Sequence, residues 1–243
     1  MSEIRGKDAI SIDDFVSTVY SENKRPFLFW DTCSLLEIIR FLYRKGNVET
    51  YRILNTINGL IQSDELISVA SSLTIVEWNN HQNDVINEIK TSLLKTGEYH
   101  KNCIETINQI NPRALSSETI HDKQLVEDLE RLADDIITKT YFIETEEIAD
   151  KALQRVSLKK APASKKNEFK DCAVWETMIL LSERINSVSL PEDEHNKIFY
   201  SVNTDDFVDK SREPRLFHRS LLTEAAAVDF SCCSTLNEVN LKI

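Results

Sequence analysis

Apolar and polar positions change period several times along this chain, and each change marks an element. The run PFLFW at residues 26–30 is continuously apolar, stops at Asp31, and gives way over 35–43 to apolar side chains that recur every three or four residues. That succession predicts a short buried strand followed by an amphipathic helix. Residues 51–60 read as another helix and LISVA at 66–70 as a second strand; Ser71 or Ser72 then stands where it can cap a helix that carries Glu77 and continues past Ile89. From about 79 to 156 the pattern is helical, with Leu125, Leu129, Leu132 and Ile136 on one face of a helix whose other face is acidic. The Lys-rich segment 158–170, with Pro and Ser in it, predicts a loop, and Val174, Met178, Leu181 and Ile185 predict the helix it leads into. KIFYSV at 197–202 predicts a strand ending at Asn203, followed by a helix around 221–227 and a last strand over 228–232.

Strands alternating with helices imply a parallel sheet with covered faces, so the expected class is a helix-rich α/β fold. Four Gly and five Pro among 243 residues are too few for a turn-rich all-β protein. The expected organisation is a leader over 1–25 and a single domain over 26–243, with a helical insertion at about 79–167. No apolar run reaches bilayer-spanning length and the start lacks a basic segment leading into one, which predicts a cytoplasmic protein with no membrane partner. Five cysteines without a CxxC pair offer neither a disulfide framework nor a zinc site, and are expected to be reduced core thiols.

A formal net charge of −11 argues against a surface that binds polyanions all over. The charge is uneven, however: residues 121–150 hold ten acids and three bases, and residues 151–170 hold seven bases and one acid. The lysines Lys159, Lys160, Lys165, Lys166 and Lys170 could guide a phosphate backbone or simply form a solvated loop, and Arg212, Arg215, His218 and Arg219 make a second candidate strip.

Ligands of open parallel sheets bind beyond the carboxyl ends of the strands, which is where Asp31 and the group Asn203 to Asp206 fall. Asp171 lies three and seven residues before Val174 and Met178, so it projects from the inward stripe of its helix; Glu77, four residues after Leu73, can also point inward. Carboxylates gathered in one crevice repel one another unless a hard divalent cation neutralises them. Taken singly, Asp31 or Asp171 could be a helix cap, and Asp205 with Asp206 a turn. His81, one turn after Glu77, is expected to be solvated, and Glu176, off the stripe of Asp171, to lie at the surface or behind the site.

Together these segments resemble the PIN-domain family. FLFWDTCSLLEII is similar to its opening strand, first acid and helix, with Thr32 beside Asp31; Glu77 in ISVASSLTIVEW resembles the second acid and Asp171 in FKDCAVWETMILLSE the third, although Trp175 and Met178 are bulkier than usual there. SVNTDDF resembles the last motif, which maps Ser201, Asn203, Asp206 and Phe207, with Asn203 standing at a position that is Asp or Asn in the family. The resemblance covers about 26–78 and 168–235. It implies a PIN-like three-layer fold with a central parallel sheet, and Mg²⁺ or Mn²⁺ held by Asp31, Glu77 and Asp171, with Asn203 and Asp206 holding metal or its waters. It further implies in-line hydrolysis of phosphodiester bonds by an endonuclease whose substrate is nucleic acid, RNA in particular. Control by a regulatory protein partner is expected of such an enzyme, and an oligomer is compatible with the sequence. The competing readings are a PIN-like scaffold that binds a partner without cutting, and an aspartyl-nucleophile phosphatase, which the Thr-Cys-Ser after Asp31 disfavours. A P-loop enzyme is disfavoured by the lack of a GxxxxGK[ST] segment.

Overall fold

The computed structural model describes residues 8–22, 24–44, 46–111, 115–116, 124–189, 196–209 and 216–243, with residues 42–44 described in backbone only. Five parallel strands form the centre: β1 (Phe27–Trp30), β2 (Ile67–Ser71), β3 (Tyr141–Ile143), β4 (Lys197–Tyr200) and β7 (Ser231–Cys233), in the order β3-β2-β1-β4-β7. The register sets Trp30 opposite both Ala70 and Tyr200, so β4 ends level with the residue before Asp31 and β2 one residue further on.

Helices cover both faces, as the alternation predicts. On one face α2 (Thr32–Arg44), α3 (Val48–Gln62) and α5 (Leu125–Lys139) pack on Leu28, Trp30, Ala70, Ile198 and Tyr200. On the other, α7 (Phe169–Val188) and α8 (Arg219–Ala227) pack on Phe27, Phe29, Ile67, Val69 and Phe199. Successive residues of β1 thus serve opposite cores, the two-residue period of a strand, and an uninterrupted apolar run is what a strand buried on both faces requires. The fold is a three-layer PIN-like α/β arrangement around a parallel sheet.

Three features differ from the sequence reading. The stretch ahead of β1 carries α1 (Ile12–Asp14), capped by Ser11 and continued as π-helical turns over Phe15–Tyr20, and it buries Phe15 and Tyr20 in the α7 core. The segment expected to be helical after Glu77 begins as α4 (Leu73–Ile110), whose fully buried positions end at Ile89, but further on it supplies β3, paired to β2. Three residues are too few to impose a readable period, so pairing with β2 decides them. A two-stranded hairpin of β5 (Val208–Asp209) and β6 (Leu216–Phe217) was likewise too short to see. α6 (Ala149–Ser157) precedes the lysine loop, and α9 (Leu236–Asn240), fixed by a reciprocal Thr235–Glu238 cap, follows β7.

Trp175 occupies the middle of the second core. Its ring centroid lies 5.3 Å from Phe199, 6.1 Å from Phe207 and 5.3 Å from Phe230, and its indole N–H donates to Glu224 at 2.8 Å. Glu224 also accepts from Arg155, whose Nε donates to Glu176 at 2.8 Å and whose Nη1 donates to the Ala161 carbonyl. Glu176 is therefore not a surface residue. It is 8% exposed, because Arg155 from α6 reaches across to neutralise it. The cysteines fit the expectation of free thiols, but only Cys172 and Cys233 are fully buried.

Removing the guanidinium would strand Glu176 without its counter-charge. Arg155→Ala is expected to cost about 3–5 kcal/mol in urea unfolding, and Glu176→Gln in the same chain to recover part of it. Equal costs for the single and double variants would show that the pair is not coupled.

Candidate active site

Asp31 follows β1 directly, and its place is determined by the backbone around it. Its N–H donates to the Tyr200 carbonyl at 3.1 Å, extending the β1–β4 ladder by one residue. Its carboxylate is 2% exposed and accepts the Ser201 hydroxyl at 2.8 Å, with the Thr32 and Cys33 amides donating as well. Ser201 Oγ in turn accepts the Asn203 N–H at 3.1 Å. One turn on, Ser34 donates to the Tyr200 carbonyl and accepts the Val202 N–H, so the start of α2 is clipped to the end of β4. Thr32 donates to Thr74 in the first turn of α4 at 3.1 Å, which brings the helix of Glu77 to the same place.

Asp171 lies in the first turn of α7. Trp175, one turn later, packs on Phe207, and Phe207 follows Asp206, so a single aromatic contact sets the distance between two acids. Asp206 is 8% exposed; its Oδ2 accepts Asn203 Nδ2 at 3.1 Å while its Oδ1 is buried without a hydrogen-bond partner. Glu77 stands at the edge with 19% of its side chain exposed and meets the Lys170 ammonium at 3.0 Å.

The charges of these groups act on one another. Burial pushes the Asp31 carboxyl up to about 6, opposed by the Ser201 hydrogen bond and reinforced by Glu77. Asp171 is pushed up to about 8, first by burial and then by Asp31, Asp206, Glu168 and Glu77. The Cys33 thiol is raised by burial and by the same Asp31, Asp171 and Glu77. Four acids remote in sequence therefore share one field, and Glu168 joins them unforeseen; its place three residues before Asp171 was the available signal.

A profile of the PIN domain family matches residues 28–207, a span that opens in β1 and closes at Phe207. The chain belongs to the PIN domain family. No curated protein and no solved structure matches it. PIN domains are in general nucleases that use divalent metals and bind nucleic acid, so the chain falls in a nuclease family.

Of the five residues expected, Asp31, Glu77 and Asp206 act electrostatically on Asp171, and Asn203 hydrogen-bonds Asp206. His81 is exposed on α4. Among the described residues no three His, Cys, Asp or Glu side chains converge closely enough to hold a metal ion. The geometry gives a local reason: Glu77 is turned to Lys170 and Asp206 Oδ2 to Asn203. The donors still suit a hard cation, being carboxylate oxygens and one amide oxygen, with a buried Asp206 Oδ1 left unpartnered. Lys159, Lys160, Lys165, Lys166 and Lys170 are all exposed, and Lys165 lies near enough to His218 to oppose its protonation, although burial is the larger cause of that lowering. Arg219 is exposed at the start of α8, while Arg212 and Arg215 lie outside the described residues. Among the described residues no helix is long and apolar enough to cross a membrane.

A carboxyl group whose pKa is higher folded than unfolded contributes its stability below the unfolded value and loses it as the pH climbs through the folded one. Free of divalent metal, the protein is therefore expected to lose stability from about pH 4 to about pH 8, the range bounded by the ordinary and raised Asp171 values. Asp171→Asn should leave stability nearly unchanged at the acid end and raise it at pH 8 by on the order of 2 kcal/mol, after allowance for solvent screening. Denaturant titrations in chelator at both pH values check this; a loss at pH 8, or an equal gain at both, contradicts it.

Proposed function

We propose that this PIN domain is a metal-dependent endonuclease that hydrolyses phosphodiester bonds of RNA, with Asp31, Glu77, Asp171, Asn203 and Asp206 as its active centre. The observation that carries the proposal is the enclosure of Asp31 and Asp171 beyond the ends of β1 and β4, where burial first, and then the charges of neighbouring acids, push both carboxyl groups upward. Such mutual repulsion costs folding free energy, and a fold that maintains it is built to receive positive charge.

Mg²⁺ or Mn²⁺, when bound, would supply a neutralising charge, a polarised phosphoryl oxygen and a water of lowered pKa. Asp31, Glu77 and Asp171 are the proposed ligands, and Asn203 and Asp206 hold metal or its waters. The residues' own work is orientation. Ser201 and the Thr32 and Cys33 amides lock the Asp31 carboxylate, and Asn203 holds one oxygen of Asp206 so that the other faces the crevice. The exposed lysines before Asp171 would guide a phosphate backbone to the acids, offsetting the overall charge of −11 locally. Lys170 holds Glu77 until a cation or a phosphate competes for one of them. A regulatory protein partner would give such an enzyme its control, and the part of α4 beyond Leu93, where no residue is fully buried, is available for it. We place the protein in the cytoplasm, where such substrates are.

The Lys170–Glu77 pair favours a second reading, a PIN scaffold that binds nucleic acid or a protein without cutting it. Cleavage of labelled single-stranded RNA and DNA, with Mg²⁺, with Mn²⁺ and with chelator, separates the two. The wild type is expected to cut RNA only with metal, and Asp31→Asn to reduce the rate by about 10³-fold or more, the scale of losing a principal electrostatic group. A folded wild type that binds no metal and cuts nothing would leave the scaffold.

A further inference from the structure

The first turn of a helix presents unpaired N–H groups that favour anions and disfavour cations. Asp171 in the first turn of α7 obeys that rule, and Lys170 beside it does not. A side chain set against its local electrostatics points to a compensating partner elsewhere. Here the partner is Glu77 of α4, whose carboxylate meets the Lys170 ammonium at 3.0 Å. Among the described residues this is the one ion pair that either side chain makes.

The pair is unequal in exposure: the Lys170 side chain is 52% exposed and that of Glu77 19%. The cation therefore faces the solvent from which a polyanion arrives, while the carboxylate is near enough to Asp31 and Asp171 to act on both. The segment ahead of α7 is anchored too, because Ala161 and Ala163 are buried and the Arg155 guanidinium donates to the Ala161 carbonyl at 2.6 Å. Lys166, on the same segment, is exposed and makes no ion pair among the described residues. Of the lysines from 159 to 170, Lys170 is the one whose ammonium meets an acid of the cluster.

An ammonium and a divalent cation close to one carboxylate repel each other, so Glu77 cannot serve both at full strength. We propose that Lys170 couples the two ligands of the acidic centre: it is the counter-ion of Glu77 until a divalent cation is bound, and is then released to a phosphate of the RNA backbone. Each ligand thereby favours the other, because a coupling between two sites is reciprocal. The proposal rests on reading the acidic cluster as a metal centre that acts on RNA, but its test requires no cutting.

The test is a double-mutant cycle on the full chain. Mn²⁺ binding is followed by the electron paramagnetic resonance of the free ion, and binding of a fluorescein-labelled uridine tetramer by anisotropy in chelator. Lys170→Met is expected to tighten Mn²⁺ binding about fivefold while Glu77 is present, and to change it by less than about twofold in Glu77→Gln. For the tetramer the order is reversed: Lys170→Met weakens binding by less than about twofold beside Glu77, and about fivefold in Glu77→Gln, where the ammonium is free. Lys166→Met, which removes the same charge without the ion pair, shows no such dependence on Glu77.

Equal Mn²⁺ affinities for the wild type and Lys170→Met, absence of binding in both included, would overturn the proposal. So would an effect of Lys170→Met on either ligand that is the same in the wild type and in Glu77→Gln. The expected couplings in a chain that never cuts RNA sink the nuclease reading alone. Metal-dependent cutting with additive substitutions sinks the Lys170 coupling alone.

Discussion

Repulsion among buried carboxylates is the constraint that the rest of this structure serves. Asp31, Asp171 and Asp206 come from elements far apart in the chain; burial opposes the ionisation of Asp31 and Asp171, and the charges of Asp31 and Asp206 add to it at Asp171. Left free, the side chains would turn to water and the crevice would open. Asp31 is held by a hydroxyl and two amides and Asp206 by an amide side chain, while Asp171 stands in the first turn of α7, where Glu168 adds to the charge against it. Glu77, at the rim, has the Lys170 ammonium for company.

Holding the acids in place is work done at a distance by packing. Trp175 lies one turn beyond Asp171, Phe207 one residue beyond Asp206 and Phe199 in the strand that leads to Ser201, and all three rings touch. Movement of any acid would disturb a fully buried aromatic cluster, where small displacements forfeit many contacts at once. The Arg155 network supports the same helix from the other side by linking Glu176, Glu224 and the Ala161 carbonyl. The bulk of Trp175, a departure from the usual motif, thus has a structural use: it spans the gap between the third acid and the last motif.

Much of this architecture was legible in one dimension. The short apolar-rich runs at 27–30, 66–70 and 198–200, interrupted only by Ser68, read as buried strands, and the polar residues that follow the first and last of them fall at the carboxyl edge of a parallel sheet. The order of helices and strands, the acids at the strand ends and the PIN family resemblance are all local or sequential properties, which a period and a motif record directly. Tertiary structure decided what depends on distant partners. Residues 141–143 are a strand only because β2 offers an edge, and Glu176 turns inward because Arg155 from another helix supplies its counter-charge. Glu77 meets Lys170 because the N-terminal ends of α4 and α7 converge. Periodicity reports which face of an element is buried; it carries no information on which remote charge, edge or void that face will meet.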